Sequence, residues 1–201
     1  MILATAGDLL SEVGFEKLTT NLVCERAGMT PPALYRYFPN KYALLTELAK
    51  RLMAAQDAVV DRFMRNEAYG SRSLDEVVAW NIALRKELIR VTRAQPGGLW
   101  ILRAIRSVPV LQEVRNDSRD KVLDLHVGHV AQIYPEVPIE TLKAAVRLSE
   151  QMTYTAIEML LEDPLLDEDR IVEEVSWMTA MYFLNLGSRP RIDPIAIDLG
   201  D

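Results

Sequence analysis

Residues 19–45, TTNLVCERAGMTPPALYRYFPNKYALL, constrain the fold more than any other stretch, because they spell two short helices around a tight turn with a third helix following at once. That is the layout of a helix-turn-helix, the motif that sets a short helix into the major groove of DNA. The first helix is expected to start at Thr20, whose hydroxyl can accept from an orphaned backbone N–H, and to stop at Gly28, the usual left-handed residue past a helix end. Thr30 is expected to cap the second helix. Pro31 sits where a missing N–H costs nothing, and Leu34 and Phe38, four apart, anchor the helix on a core.

The outward set on that second helix is Thr30, Pro31, Pro32, Ala33, Tyr35, Arg36 and Tyr37. Tyrosine suits a groove: its hydroxyl bonds a phosphate while its ring lies against a thymine methyl or a sugar. Arg36 has the reach for a guanine edge or a phosphate. Lys41 adds an ammonium to the positive end of the next helix, where a phosphate oxygen sits well. Between Glu25 and Glu47 the chain carries Arg26, Arg36 and Lys41 and no acid, so the local field is expected to be positive although the whole protein carries a formal charge of −6. Pro31-Pro32 removes two N–H donors, which shifts the expected readout toward apolar contact with thymine methyls.

With the helix before it, this segment resembles the TetR family of bacterial transcriptional repressors. The resemblance rests on Ile2, Leu3, Ala6, Leu9 and Leu10 of a first helix, Gly14-Phe15 closing it, Thr19-Thr20, Ala27-Gly28-Met29-Thr30, and Leu34-Tyr35-Arg36-Tyr37-Phe38-Pro39-Asn40-Lys41 running into Ala43-Leu44-Leu45. It covers roughly the first 50 residues and is architectural beyond them. It implies phosphate contact by Thr20, Tyr35 and Lys41, and groove contact by the first half of the recognition helix and Tyr37. It also implies a downstream ligand-sensing half and a homodimer. Family members carry a basic stretch ahead of the first helix, whereas this sequence begins at Met1-Ile2-Leu3 inside the amphipathic pattern. Either the start is truncated or affinity rests on fewer phosphate contacts.

Downstream, prolines and glycines punctuate segments of helical spacing with hardly any strict alternation. The fold class is therefore all-α: a three-helix reading head over 1–46 and a helical ligand-sensing and dimerisation domain over 47–201. Helices are expected near 2–14, 20–27, 31–37, 40–66, 73–94, 97–107, 109–134, 138–162 and 167–186, with the helix from Asn40 as mechanical connector and 188–201 as an extended tail. A single cysteine, Cys24, fits a reducing compartment and packing, and no apolar run approaches ~18 residues, so a cytoplasmic protein with no membrane partner is expected.

The last two helices carry apolar residues on more than one face, which suggests burial against a second copy. The expected seam is Leu142, Ala145, Ser149, Met152, Ala156 and Met159 with Ile171, Val175, Met178 and Tyr182. Candidate lining of a small-molecule cavity is Trp80, Trp100, Arg103, Arg106, His126, His129, Met152, Tyr154 and Trp177. With arginines as anchors, the expected effector is an apolar or aromatic molecule bearing a carboxylate or carbonyl.

His126 and His129, three apart, could share a metal, but no H-E-x-x-H accompanies them. No motif calls for a cofactor or a catalytic role. The expectation is thus a ligand-responsive regulator, a repressor that binds a palindromic operator as a homodimer. A metal-dependent or hydrolytic protein at His126 and His129, and a DNA-binding protein with no small-molecule ligand, are the alternatives.

Overall fold

The computed structural model describes residues 1–65 and 73–188, and among them only helices and 3-10 turns form, with no strand. The extended tail expected over 188–201 lies, past Ser188, outside the described residues.

Helix α1, Ile2–Lys17, puts Leu3, Ala6, Leu9 and Leu10 on one buried stripe, and Gly14 breaks its helical backbone with φ 74°. Helix α2, Thr20–Ala27, is capped one residue earlier than expected: Thr19, not Thr20, accepts from the Leu22 N–H at 3.2 Å. Its other end is a left-handed turn at Gly28, where the Gly28 N–H reaches the Glu25 carbonyl and the Met29 N–H reaches that of Cys24. These paired bonds satisfy two otherwise orphaned carbonyls. Helix α3, Pro31–Tyr35, is shorter than its pattern, and Thr30 holds its start with the backbone carbonyl rather than the side chain. Leu34 is completely buried and anchors α3, which packs on α2, in the core shared with α1 and α4.

Helix α4, Lys41–Met64, starts at Asn40, whose Oδ1 accepts from the Ala43 N–H at 3.0 Å. Its first turns bury Leu44, Leu45 and Leu48, and its later turns bury Gln56, Val59 and Met64. Around these later turns lie α5 (Leu74–Ala94), α6 (Gly98–Ser107), α7 (Gln112–Ile133) and α8 (Ile139–Glu162), with α9 (Glu168–Leu184) packed on α5 and α8. Helices α5 and α9 pack along each other, as do α4 and α7, and α7 and α8. A full capping box, with Ser73 and Glu76 bonded reciprocally, fixes where α5 begins. One continuous buried cluster runs from Leu3 in α1 through α4 to Ile157 and Val172.

The head meets the rest of the chain at two places. One is α4 itself. At the other, α1 lies directly on the turn before α6: a Cβ on Gly7 would overlap the Pro96 carbonyl, and one on Gly97 would overlap the Gly7 carbonyl. Backbone touches backbone here, so neither side can yield by a rotamer change.

Gly7→Ala is therefore expected to push α1 off this turn and to cost about 1–3 kcal/mol in urea unfolding. An unchanged unfolding midpoint would mean that the head is not docked through this contact.

Candidate functional site

Two regions bring chemistry together. On α3 and the turn after it, Thr30, Pro31, Pro32, Ala33, Tyr35, Arg36 and Tyr37 are all exposed, with Tyr37 at 66% and Tyr35 at 46%. Thr20 and Lys41 flank this surface half-buried. The Thr20 and Tyr35 hydroxyls lie 3.1 Å apart, which ties α2 to α3 and aims the phenol. Lys41 is less free than its position at a helix start suggests: its ammonium donates to the Phe15 carbonyl at 3.3 Å and sits 4.4 Å from the Phe15 ring centre. The Arg26 guanidinium is bound at both nitrogens to Glu12, so the positive field expected from the sequence is carried chiefly by Arg36 and Lys41, which make no ion pair among the described residues.

The second region is a cavity enclosing roughly 730 Å³ of non-atom space, solvent at its mouth included, between α4, α5, α7, α8 and α9. Its walls are mainly apolar, with Val60, Trp80, Leu84, Leu88, Val146 and Ile157 among them. Of the nine residues expected to line it, Trp80, His126 and Tyr154 do. Trp100 instead packs beneath α1 near Gly14, with the Arg103 guanidinium 5.2 Å over its ring. Arg103 and Arg106 pair with Glu162 and Glu158, so their stems pack while their charges are met near the surface. Arg106 lines only a smaller adjoining cavity, and His129, Met152 and Trp177 line neither. Among the described residues no group of three or more His, Cys, Asp or Glu side chains is placed to hold a metal.

The cavity's polar lining comes largely from residues that the pattern reading passed over. Arg85 is 2% exposed; it donates to the Asn81 side chain at 2.7 Å and to the Thr179 hydroxyl at 2.7 Å, pinning α5 to α9. On α4, Gln56 donates to the Thr92 hydroxyl at 2.7 Å and accepts from the Tyr154 hydroxyl at 3.3 Å, which joins α4, α5 and α8. Burial pushes the Tyr154 phenol upward. The signal for Arg85 was available: Asn81 and Arg85 fall within the α5 stripe of Val78, Leu84 and Leu88, at i, i+4 spacing.

Two buried atoms at the cavity have no hydrogen-bond partner among the described residues, His126 Nε2 and Glu150 Oε2. Burial lowers the His126 imidazole to about 4, with His129 and Arg85 adding to the effect. Burial raises the Glu150 carboxyl to about 6, against the pull of Arg115, Arg119 and Arg147 and with some help from Asp57.

Of the six seam residues expected on α8, four are turned inward. Leu142, Ala145, Ser149 and Ala156 are buried inside their own subunit, and Ser149 lines the cavity, so none of them can meet a second copy. The outer apolar face consists of Leu148 and Met159 on α8 with Trp177, Met178, Met181 and Leu184 on α9, all exposed. Met159 and Met178 of the expected seam lie on this face; Met152, Ile171, Val175 and Tyr182 are half-buried. Helical spacing revealed two stripes on each helix and did not say which one turns inward.

The raised Glu150 carboxyl makes a prediction about pH. A carboxyl with a folded value above its unfolded one adds stability that is complete below the unfolded value and lost as pH rises through the folded one. Glu150→Gln removes that loss. In urea unfolding at fixed protein concentration, the variant is expected to gain about 2 kcal/mol on the parent between pH 4.5 and pH 8. A difference that does not change with pH would contradict the burial of this carboxyl.

Comparison with known proteins accords with this architecture. The family model described as bacterial regulatory proteins, tetR family, matches residues 2–48. Over 53 residues the chain is 49% identical to the class A tetracycline repressor protein from transposon 1721 of Escherichia coli, a match spanning 26% of this chain and 24% of that one. Solved structures share the whole fold. The TetR-family transcriptional regulator PfmR from Thermus thermophilus superposes with a TM-score of 0.64 at 18% identity, covering 94% of this chain and 99% of that one. The SmeT–triclosan complex superposes with a TM-score of 0.68 at 21% identity, covering 96% and 97%. Residues 2–48 thus match the tetR family of bacterial regulatory proteins in sequence, and the whole chain shares the fold of solved TetR-family structures.

Proposed function

We propose that the protein is a ligand-responsive transcriptional repressor, in which residues 1–46 read DNA and residues 47–201 bind a small effector and hold two copies together. The observation that carries this reading is the double membership of α4: its first turns bury Leu44, Leu45 and Leu48 in the core of the head, and Gln56, Asp57, Val60 and Met64 of the same helix line the cavity. A molecule entering the cavity presses on a helix that also sets the position of the head.

The reading surface is Tyr35, Arg36 and Tyr37 with the exposed face of α3, supported by Thr20 and Lys41 at the edges. The exposed apolar face of Leu148, Met159, Trp177, Met178, Met181 and Leu184 is the surface on which a second copy seats, bringing two heads to successive major grooves ~34 Å apart. The effector is a small, largely apolar molecule, consistent with the walls of the cavity and with the same fold holding triclosan in SmeT. Its binding favours a dimer geometry in which the two heads no longer match that spacing, and ~1–3 kcal/mol of coupling is enough to change operator affinity several-fold to a hundredfold. The role is regulatory rather than catalytic, in the cytoplasm, where its DNA lies.

Selection from a random duplex library is expected to enrich an inverted repeat with half-sites one helical turn apart. Tyr37→Ala should weaken binding to the selected site by about 1–3 kcal/mol and relax preference within the half-site, while Met178→Arg should yield monomers that protect one half-site weakly. Enrichment of no sequence, or of an unrepeated one, would contradict the proposal.

A further inference from the structure

The arginines that made an acidic effector attractive lie outside the main cavity, paired with Glu158 and Glu162. What faces the cavity is a different set of polar groups, and two of their atoms are left over. Tyr154, one turn beyond Glu150 on α8, spends its hydroxyl hydrogen on Gln56, so it does not supply Glu150. Glu150 Oε2 is buried with no hydrogen-bond partner among the described residues, and His126 Nε2, across the cavity on α7, is in the same condition. A buried acceptor without a donor is costly, and a bound molecule that supplies the hydrogen recovers that cost.

We propose that the cavity takes a neutral, largely apolar molecule carrying an O–H or N–H donor, and that Glu150 is the residue that selects it by accepting that hydrogen. The inference rests on the effector-binding reading above and names the chemistry of the effector. The charges around the site decide between head groups. An anionic head would meet Glu150 itself and Asp57 on α4. A cationic head would meet Arg85 on α5 within the cavity, and Arg115 and Arg119 on α7, which line the adjoining small cavity with Glu150; Arg147 on α8 adds to the same field. Arg115, Arg119 and Arg147 already act on the carboxylate without bonding its Oε2, so what this oxygen lacks is a donated hydrogen rather than a further counter-ion. A neutral donor escapes both repulsions. The apolar walls at Trp80, Leu84, Val146 and Ile157 take the rest of the molecule.

Four probes on one biphenyl frame isolate the head group: 4-phenylphenol, its methyl ether 4-methoxybiphenyl, biphenyl-4-carboxylate and 4-phenylbenzylamine. Calorimetric titration of the full chain at pH 7.5 without DNA is expected to show 4-phenylphenol binding about tenfold or more tighter than each of the other three. Glu150→Leu should bring phenol and ether close to equal affinity, while Glu150→Gln, which keeps an acceptor oxygen, should retain the preference. If the ether binds the parent protein as tightly as the phenol, a water already satisfies Glu150 and the proposal fails; this comparison needs no variant to fold. The proposal also fails if the carboxylate or the amine binds best, if none of the four binds, or if the preference survives Glu150→Leu. A donor preference that leaves DNA binding untouched would support this assignment and remove the regulatory reading, whereas release of DNA by phenol and ether alike would do the reverse.

Discussion

Everything else in this molecule depends on one helix being buried at both ends in different company. Helix α4 gives Leu44, Leu45 and Leu48 to the core of the head, where α1 contributes Leu9 and Leu10, and gives Gln56, Val60 and Met64 to the wall of the cavity. Cores packed as densely as organic crystals do not deform smoothly, so a displacement at one end of a rigid helix is carried to the other. The second junction, where Gly7 and the Pro96-Gly97 turn touch through their backbones, gives the head a fulcrum on the α5–α6 corner. On the proposed reading, a shift of α4 against this incompressible contact would turn the head rather than translate it.

The polar interior suits that task. Gln56 links α4 to Thr92 on α5 and to Tyr154 on α8, so the connector is held on the cavity side by hydrogen bonds as well as by apolar contact. Arg85, held by Asn81 and Thr179, locks α5 to α9 and keeps the outer apolar face of α9 in register with the cavity. Such networks specify one arrangement sharply when satisfied, and the buried atoms without a partner at Glu150 and His126 lie beside them in the wall of the same cavity.

The head was legible in the sequence because each of its features is local. Gly28 ends α2 through bonds that span five residues, Asn40 caps α4 three residues ahead, and Leu34 must be buried if α3 is to stay folded. The one-residue slip of the first cap from Thr20 to Thr19 is a choice between neighbouring hydroxyls that spacing cannot make. The cavity was less legible because it is built from five helices, and periodicity within one helix says nothing about its rotation relative to the others. Leu142 and Ala145 look as suitable for a dimer seam as Leu148 and Met159; only packing of α8 on α7 and α9 turns the first pair inward. Arg103 and Arg106 looked like anchors because their acids, Glu162 and Glu158, are more than fifty residues away in the chain.

Transmission of cavity occupancy through α4 to the heads would change the distance between the two heads of the proposed dimer. A spin label at Glu16→Cys, in a Cys24→Ser background, reports that distance by pulsed electron resonance. The expected result is a narrow distribution when selected operator DNA is bound, and a mean displaced by several ångströms when 4-phenylphenol saturates the cavity in the absence of DNA. Superimposable distributions in the two states, with the probe shown to be bound, would contradict it.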